Sequence, residues 1–162
     1  MTNGSELYLH HCCFTGHRPE KLHVSEAEVC VGLEREIRAA IADGYTTFIS
    51  GVERGVDIWA AEIVIRLREE GAPLRLIAAN PFPGYEKRWT PDWQARYAAV
   101  IERSDRTEYI SPCDNPQCFT LRDRWMVDHS TRVIAVFNGE KGGTKNTIDY
   151  AKRNCISTII IS

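Results

Sequence analysis

The 162-residue sequence has no apolar run that approaches the roughly 18 residues needed to cross a bilayer. Its N-terminus lacks the basic stretch followed by an apolar stretch that marks a secretory signal peptide. Its net charge is only −2, so no overall positive charge attracts phosphate backbones nonspecifically. These absences predict a cytoplasmic protein with no membrane partner, and they leave only a local basic patch open.

Several motifs of catalysis and metal binding are also missing. No segment has the Lys-Ser/Thr ending of a P-loop, the G-x-G-x-x-G spacing of a dinucleotide site or the Gly-x-Ser-x-Gly elbow of a hydrolase. The six cysteines are interpreted as reduced thiols. Cys113, Cys118 and His129 have poor spacing for zinc. We therefore predict no metal and no cofactor, and these residues alone name no reaction.

What the sequence does contain is the composition of a globular domain, 43% apolar and 26% charged, with a length that fits one domain over residues 1–162. Short apolar runs predict strands at about 10–14, 46–50, 74–79, 106–111, 132–137 and 156–161. Helical patterns lie between them at 26–43, 56–70, 91–103, 117–129 and 143–154. This alternation predicts an α/β, three-layer Rossmann-like fold with a mainly parallel sheet of about six strands.

Ligands of open α/β sheets bind beyond the carboxyl ends of the strands, so the loops after the strands are the candidate sites. After the first strand, Gly16, His17 and Arg18 form a turn in which the arginine can bind phosphate or carboxylate oxygens. The alternative is an ordinary turn with a solvated arginine. This loop alone does not decide between the two.

The loop after the second strand, SGVERGVD, places Ser50, Gly51 and Gly55 before a helix whose free amides and positive dipole end suit an anion. Asp57 in this loop either bonds a ribose hydroxyl or caps the helix.

The loop after the fifth strand has the same character, because Gly142, Gly143 and Thr144 stand at another helix start where backbone amides can surround a phosphate. The alternative is that Thr144 serves only as an N-cap.

Three further features have two interpretations each. Arg122, which shares a helix face with Met126, either reaches a ligand phosphate or forms a surface ion pair. Tyr85 and Trp89 either stack on a base or pack their loop. For His129 we prefer an ordinary role at a helix end.

Five segments in this order, FTGHRP, SGVERGVD, PFPGYEKRW, CFTLRDRWMVDHS and AVFNGEKGGTKNTIDYA, resemble the YpsA/YoqJ family of the SLOG superfamily. The resemblance covers nearly the whole chain. It implies a Rossmann-like fold in a bacterial protein whose partner is a nucleotide or nucleotide-derived molecule, and it suggests a sensing role. A homo-oligomer is left open.

The superfamily also contains the DNA-processing protein DprA, whose segment S-G-x-A-x-G-I-D is matched at Ser50, Gly51, Gly55 and Asp57. Single-stranded DNA binding is therefore the alternative function. The slightly acidic balance and the absence of an obvious stripe of stacking aromatics argue against it.

The cytokinin-activating LOG phosphoribohydrolases offer a third comparison. Their Arg-x-x-x-Met segment is similar to Arg122 and Met126, and their glycine-rich loop resembles the segment from Gly142 to Thr144. Thr147 stands where that loop carries its catalytic glutamate. Glu53, Asp57 or Asp149 is then the candidate for a displaced carboxylate, so the catalytic residues stay unknown and enzyme status stays open.

Overall fold

The computed structural model describes residues 7–162. Its strands and helices alternate in the order β1 His11–Gly16, α1 Glu26–Ala42, β2 Thr47–Ser50, α2 Val56–Glu69, β3 Arg75–Asn80, α3 Pro91–Arg103, β4 Arg106–Tyr109, α4 Cys118–Asp128, β5 Arg132–Val136, α5 Gly143–Arg153 and β6 Ser157–Ile161. Single 3-10 turns follow β1 at Pro19–Lys21 and β3 at Tyr85–Arg88. The predicted α/β alternation is confirmed.

The strands form one parallel sheet in the order β4-β3-β2-β1-β5-β6. The chain builds outward from β1 to β4 and then returns to the other side of β1 for β5. The order of connection therefore reverses at β1. In such sheets a crevice opens above the carboxyl ends of the strands at the reversal, which is where ligands bind.

Alternating side chains of the strands divide the core into two layers. Phe14 of β1 and Phe48 of β2 stack at 5.8 Å between ring centroids and face the layer formed by α1, α2 and α3. Cys13 and Ile49, the neighbours of those residues, face α4 and α5 on the opposite side of the sheet. The arrangement is the predicted three-layer fold.

Helix α1 shows how local sequence sets its bounds. The Ser25 hydroxyl accepts a hydrogen bond from the Glu28 backbone N–H at 3.2 Å, which confirms the predicted N-cap. The helix ends at Ala42, just before Gly44. Among residues 7–162, no helix is both long and apolar enough to cross a membrane. Residues 1–6, part of the segment on which the signal-peptide inference rests, lie outside the described range.

Candidate functional site

A cavity of about 310 Å³, here called the strand-end pocket, opens above the carboxyl ends of β1 and β2 and beside the starts of α4 and α5. Its volume lies at the lower end of the roughly 300–1,000 Å³ typical of ligand sites. The lining residues that the sequence predicted are Gly16, His17, Arg18, Asp57, Arg122, Gly143 and Thr144. The fold thus brings residues from four separate segments of the chain to one place.

The other predicted site residues, Ser50, Gly51, Gly55 and Gly142, are not among the residues that line the pocket. The Ser50 hydroxyl donates to the Asp57 backbone carbonyl at 2.8 Å and accepts from the Val52 N–H at 3.1 Å. The Gly51 carbonyl accepts a hydrogen bond from Arg122. These contacts hold the loop after β2 in shape, so Ser50 and Gly51 support the pocket from within the protein.

Two glycines allow the first two loops to approach each other closely. A Cβ atom on Gly16 would lie 2.5 Å from the Val56 side chain. Gly55, the N-cap of α2, has a φ of +93°, and a Cβ atom there would lie 2.9 Å from Pro19. Glycine tolerates both the close approach and the positive φ. Gly16 and Gly55 therefore permit the close packing of the loops after β1 and β2.

The loop after β2 also contains a strained residue, Val52, which is buried and has a φ of +48°. A β-branched residue rarely adopts this conformation, and such strain collects at functional sites. The Tyr85 hydroxyl donates to the carbonyls of Val52 and Gly51. Trp89 packs edge-on against Tyr85, with ring centroids 5.1 Å apart. Of the two interpretations of these aromatics, the structure favours packing of the loop.

Arg122 is 5% exposed and is held from two sides. Its Nε donates to Asp123 Oδ1 at 2.7 Å and its Nη1 donates to the Gly51 carbonyl at 2.6 Å. Burial alone lowers the pKa of Arg122, but Asp123, Tyr85 and Asp57 outweigh it and raise the pKa above its ordinary value. Arg122 is therefore a buried cation, and the alternative of a surface ion pair is wrong, because its pair with Asp123 leaves the arginine buried.

Asp57 is the most perturbed carboxyl group of the pocket. Asp57 is 6% exposed, and its Oδ1 atom has no hydrogen-bond partner among the described residues. Burial raises the pKa of Asp57 to about 7, although Arg122 acts in the opposite direction. Gly55 and not Asp57 is the N-cap of α2. A buried carboxyl with a shifted pKa at the lining of a cavity is a typical binding or catalytic group.

His17 connects the loops after β1 and β5. The Asn138 backbone N–H donates to His17 Nε2 at 3.2 Å, which places the proton of the neutral ring on Nδ1. Burial lowers the pKa of His17, so the ring is neutral near pH 7. Asn138 also donates from its side chain to the Lys21 carbonyl at 3.0 Å. His17 and Asn138 thus fix the turn that carries the pocket's basic side chains.

The start of α5 forms the opposite wall. Gly142 is the N-cap and has no side-chain cap, so Thr144, which is the second residue of the helix, does not serve as the N-cap. No atom lies within 4 Å of the position that a Cβ on Gly143 would occupy, so the space in front of the helix start is open. The first N–H groups of a helix have no partner within the helix. They are available to an anion here.

Carboxyl groups surround the pocket even though Thr147 replaces the LOG-type glutamate. Thr147 is buried, and its hydroxyl donates to the Gly143 carbonyl at 2.9 Å and lies 3.3 Å from Asp123 Oδ2. Glu53, Asp57 and Asp123 line the pocket. Asp149 does not, and it pairs instead with Lys145 at 2.7 Å. Of our three candidates for a displaced carboxylate, Glu53 and Asp57 are near the pocket.

Sequence reasoning missed three lining residues with chemical interest: Lys21, Phe119 and Asp123. Phe119 is 42% exposed, and the Arg122 guanidinium lies 5.6 Å from its ring centroid. Its spacing of three from Arg122 on one helix was a usable signal. Lys21 lies on the short turn after β1, and no sequence pattern marked it as a site residue. Within residues 7–162, no group of three His, Cys, Asp or Glu side chains is placed to hold a metal.

Comparison with known proteins identifies the family. The YpsA family model, described as the YspA SLOG family, matches residues 12–157. The chain belongs to the YpsA SLOG family. A UPF0398 protein of Bacillus thuringiensis strain Al Hakam is 28% identical over 148 residues, which cover 86% of this chain and 80% of the relative. A UPF0398 protein of Bacillus cereus strain Q1 matches equally well.

This YpsA-family chain also shares its fold with two solved DprA structures. DprA from Streptococcus pneumoniae superposes with a TM-score of 0.68 at 16% identity, over 93% of this chain and 50% of the DprA chain. DprA from Helicobacter pylori, whose structure concerns its single-stranded DNA binding mode, gives a TM-score of 0.64 at 17% identity over 98% of this chain and 68% of that one. Both confirm the Rossmann-like fold. The chain spans only half of the Streptococcus protein.

Proposed function

We propose that the strand-end pocket binds a phosphorylated, nucleotide-derived small molecule. The observation that carries the proposal is that one pocket combines cationic side chains and a free helix start with carboxyl groups. Arg18, Lys21 and the start of α5 lie at the pocket, as do Glu53, Asp57 and Asp123. A ligand that carries both a phosphate and hydroxyl groups matches this combination.

The phosphate would bind at the open N-terminus of α5. Backbone N–H groups and the positive end of the helix dipole stabilise an anion there. Lys21 is exposed on its turn and can add a charge-assisted hydrogen bond. Arg18 is also free to move toward a ligand, because its side chain is 48% exposed. Its ion pair with Glu20 is weak, since the two groups are 4.0 Å apart at their nearest approach.

The hydroxyl-bearing part of the ligand would bind at Asp57. Near pH 7 this carboxyl exists in both protonation states, because its pKa is about 7. An ionised carboxyl accepts a hydrogen bond from a sugar hydroxyl, and a protonated one can also donate to it. Phe119 is exposed at the same pocket and offers a face on which a base can stack. A ribose phosphate with an attached base accounts for all of these groups.

A thermal-shift screen with nucleoside monophosphates, the matching nucleosides, NAD and ADP-ribose tests this proposal. A ligand that binds only the native state raises the melting temperature. We expect a monophosphate or dinucleotide to stabilise the protein, the unphosphorylated nucleoside to have little effect, and Lys21→Ala to lose most of the shift. Lys152→Ala, which removes a lysine from the far end of α5, is the matched control and keeps it. An equal shift in both variants would contradict the proposed phosphate position.

Single-stranded DNA is the second candidate ligand, favoured by the structural similarity to a DprA whose DNA-binding mode has been described. Short oligonucleotides in the same screen separate the two functions. A shift with oligonucleotides alone, weakening steeply as salt is raised, would favour DNA, because binding to phosphate backbones releases counterions. A shift with mononucleotides that depends little on salt would favour the small-molecule site.

A further inference from the structure

An apolar groove lies on the side of the molecule formed by α1 and β6. Its volume is about 660 Å³, and its walls include Val24, Val31, Phe137, Ile160 and Ile161. Val31 is 68% exposed, and Val24 and Ile160 are each 44% exposed. Contiguous exposed apolar side chains of this kind usually mark an interaction surface.

The groove lies at an open edge of the fold. In the part of the chain that the structure describes, β6 pairs with β5 alone, so its other edge has no strand beside it. Helix α1 contacts α2 on one flank, and its other flank borders the groove. An unpaired edge beside an exposed helix flank is the usual position of a subunit interface or of a covering segment.

A mixed stripe of side chains runs along α1 at this face. Glu28, Val31 and Arg35 follow one another at spacings of three and four residues, which places them on one side of the helix, and Val24 lies just before its N-cap. Glu28 has no ion-pair partner among residues 7–162. Arg35 is 64% exposed and touches only the neighbouring Glu36, at 3.2 Å. The stripe therefore combines exposed apolar groups with charges of both signs.

We infer that this face binds a second copy of the chain, with the two α1 helices antiparallel about a two-fold axis near Val31. In that arrangement Glu28 of each copy lies opposite Arg35 of the other, because the two positions are symmetric about the axis. Val31 then packs near the axis, and the exposed Ile160 of β6 borders the contact. An isologous interface needs one surface that is complementary to itself.

The charges decide between a second copy and other occupants. A small apolar ligand would fill the groove without any use for Glu28 and Arg35. A partner of one charge would be repelled by one of the two. Opposite charges seven residues apart on one stripe match a reversed copy of the same stripe. Complementary charge of this kind fixes the register and the partner choice of an interface.

The test is the oligomeric state of the full chain, measured by sedimentation over a series of protein concentrations. We expect the wild type to dimerise, and Glu28→Arg and Arg35→Glu each to weaken self-association by about tenfold or more. An equimolar mixture of the two single variants should form a heterodimer, because every facing pair is then oppositely charged. Melting curves of each variant confirm that it is folded.

Val31→Asp tests the apolar part of the contact, and Leu121→Asp is its matched control. Leu121 is 47% exposed on α4 and lies outside the groove. We expect Val31→Asp to give a monomer and Leu121→Asp to leave the dimer intact. The inference is overturned if the wild type is a monomer at every concentration, if both aspartate variants dimerise alike, or if mixing the charge variants restores nothing.

Discussion

Arg122→Met is expected to lower the free energy of unfolding by about 3–5 kcal/mol at pH 8, the cost of leaving buried charges without their partner. Arg122 holds Asp123 by a 2.7 Å ion pair and the Gly51 carbonyl by a 2.6 Å hydrogen bond. It also opposes the rise in the pKa of Asp57. Methionine matches the length of the arginine stem, so packing changes little while the charge and both hydrogen bonds are lost.

The pH dependence separates charge from packing in this variant. Without Arg122, the pKa of Asp57 should rise further, so a larger part of the cost should disappear when urea denaturation is repeated at pH 5. Arg124→Met is the matched control on the same helix. Arg124 is exposed, and its guanidinium lies 5.0 Å from the Tyr150 ring centroid, a contact worth about 1 kcal/mol or less. Equal losses in the two variants at both pH values would contradict the buried role of Arg122.

Asp57→Asn is expected to stabilise the protein at pH 8 and to leave its stability unchanged near pH 4. Burial raises the pKa of Asp57 from 3.8 to about 7, so the folded state favours the neutral acid. The ionised carboxyl therefore destabilises the fold increasingly between these two pH values, and the penalty is complete above pH 7. Asparagine has the shape of the neutral acid and removes roughly 2–4 kcal/mol of this penalty.

Denaturation of the wild type and Asp57→Asn across pH 4–9 checks this expectation. Asp149→Asn provides the control, because Lys145 lowers the pKa of that exposed carboxyl, and its replacement should not stabilise the protein at any pH. Two parallel stability profiles for the wild type and Asp57→Asn would mean that Asp57 ionises normally. The same substitution should weaken a ligand that uses the carboxylate. A residue that costs stability yet lines a pocket fits a binding role.

Most of the fold follows from local signals in the sequence. Each predicted strand is present within a few residues of its predicted bounds. The four central strands are buried, and buried parallel strands are apolar on both faces. The N-cap at Ser25 was correct because a hydroxyl before a helical pattern satisfies a free amide. The order of the strands in the sheet is set by tertiary packing, so local sequence patterns do not predict it.

The sequence predicted which segments form the candidate site, but not which of its polar side chains are buried. Glycine and arginine in loops after strands indicated Gly16, Arg18, Asp57 and Gly143, and these line one cavity. The burial of a polar side chain at a helix start leaves no local sequence pattern, so neither the burial of Arg122 nor the unpartnered oxygen of Asp57 was predicted. Both depend on which loops the sheet order brings together.

Roles set by long-range contacts were also beyond the sequence. Tyr85 supports the carbonyl groups of the strained loop at Val52, across more than thirty residues of chain. Thr144 lines the pocket while Gly142 takes the cap position, although threonine is the better cap by local preference. Phe119 and Lys21 reach the pocket from neighbouring elements. In each case tertiary placement decided between interpretations that local chemistry left equal.

An NMR titration of the ¹⁵N-labelled protein tests the central claim, binding of a phosphorylated ligand at the strand-end pocket, most directly. A nucleoside monophosphate should shift the backbone amide signals of Gly16, Gly143 and Thr144, and the matching nucleoside should shift them far less. Phosphate at the start of α5 would produce that pattern, because the first amides of the helix would donate to it. Unchanged signals at these three residues, or shifts confined to the groove between α1 and β6, would contradict the account.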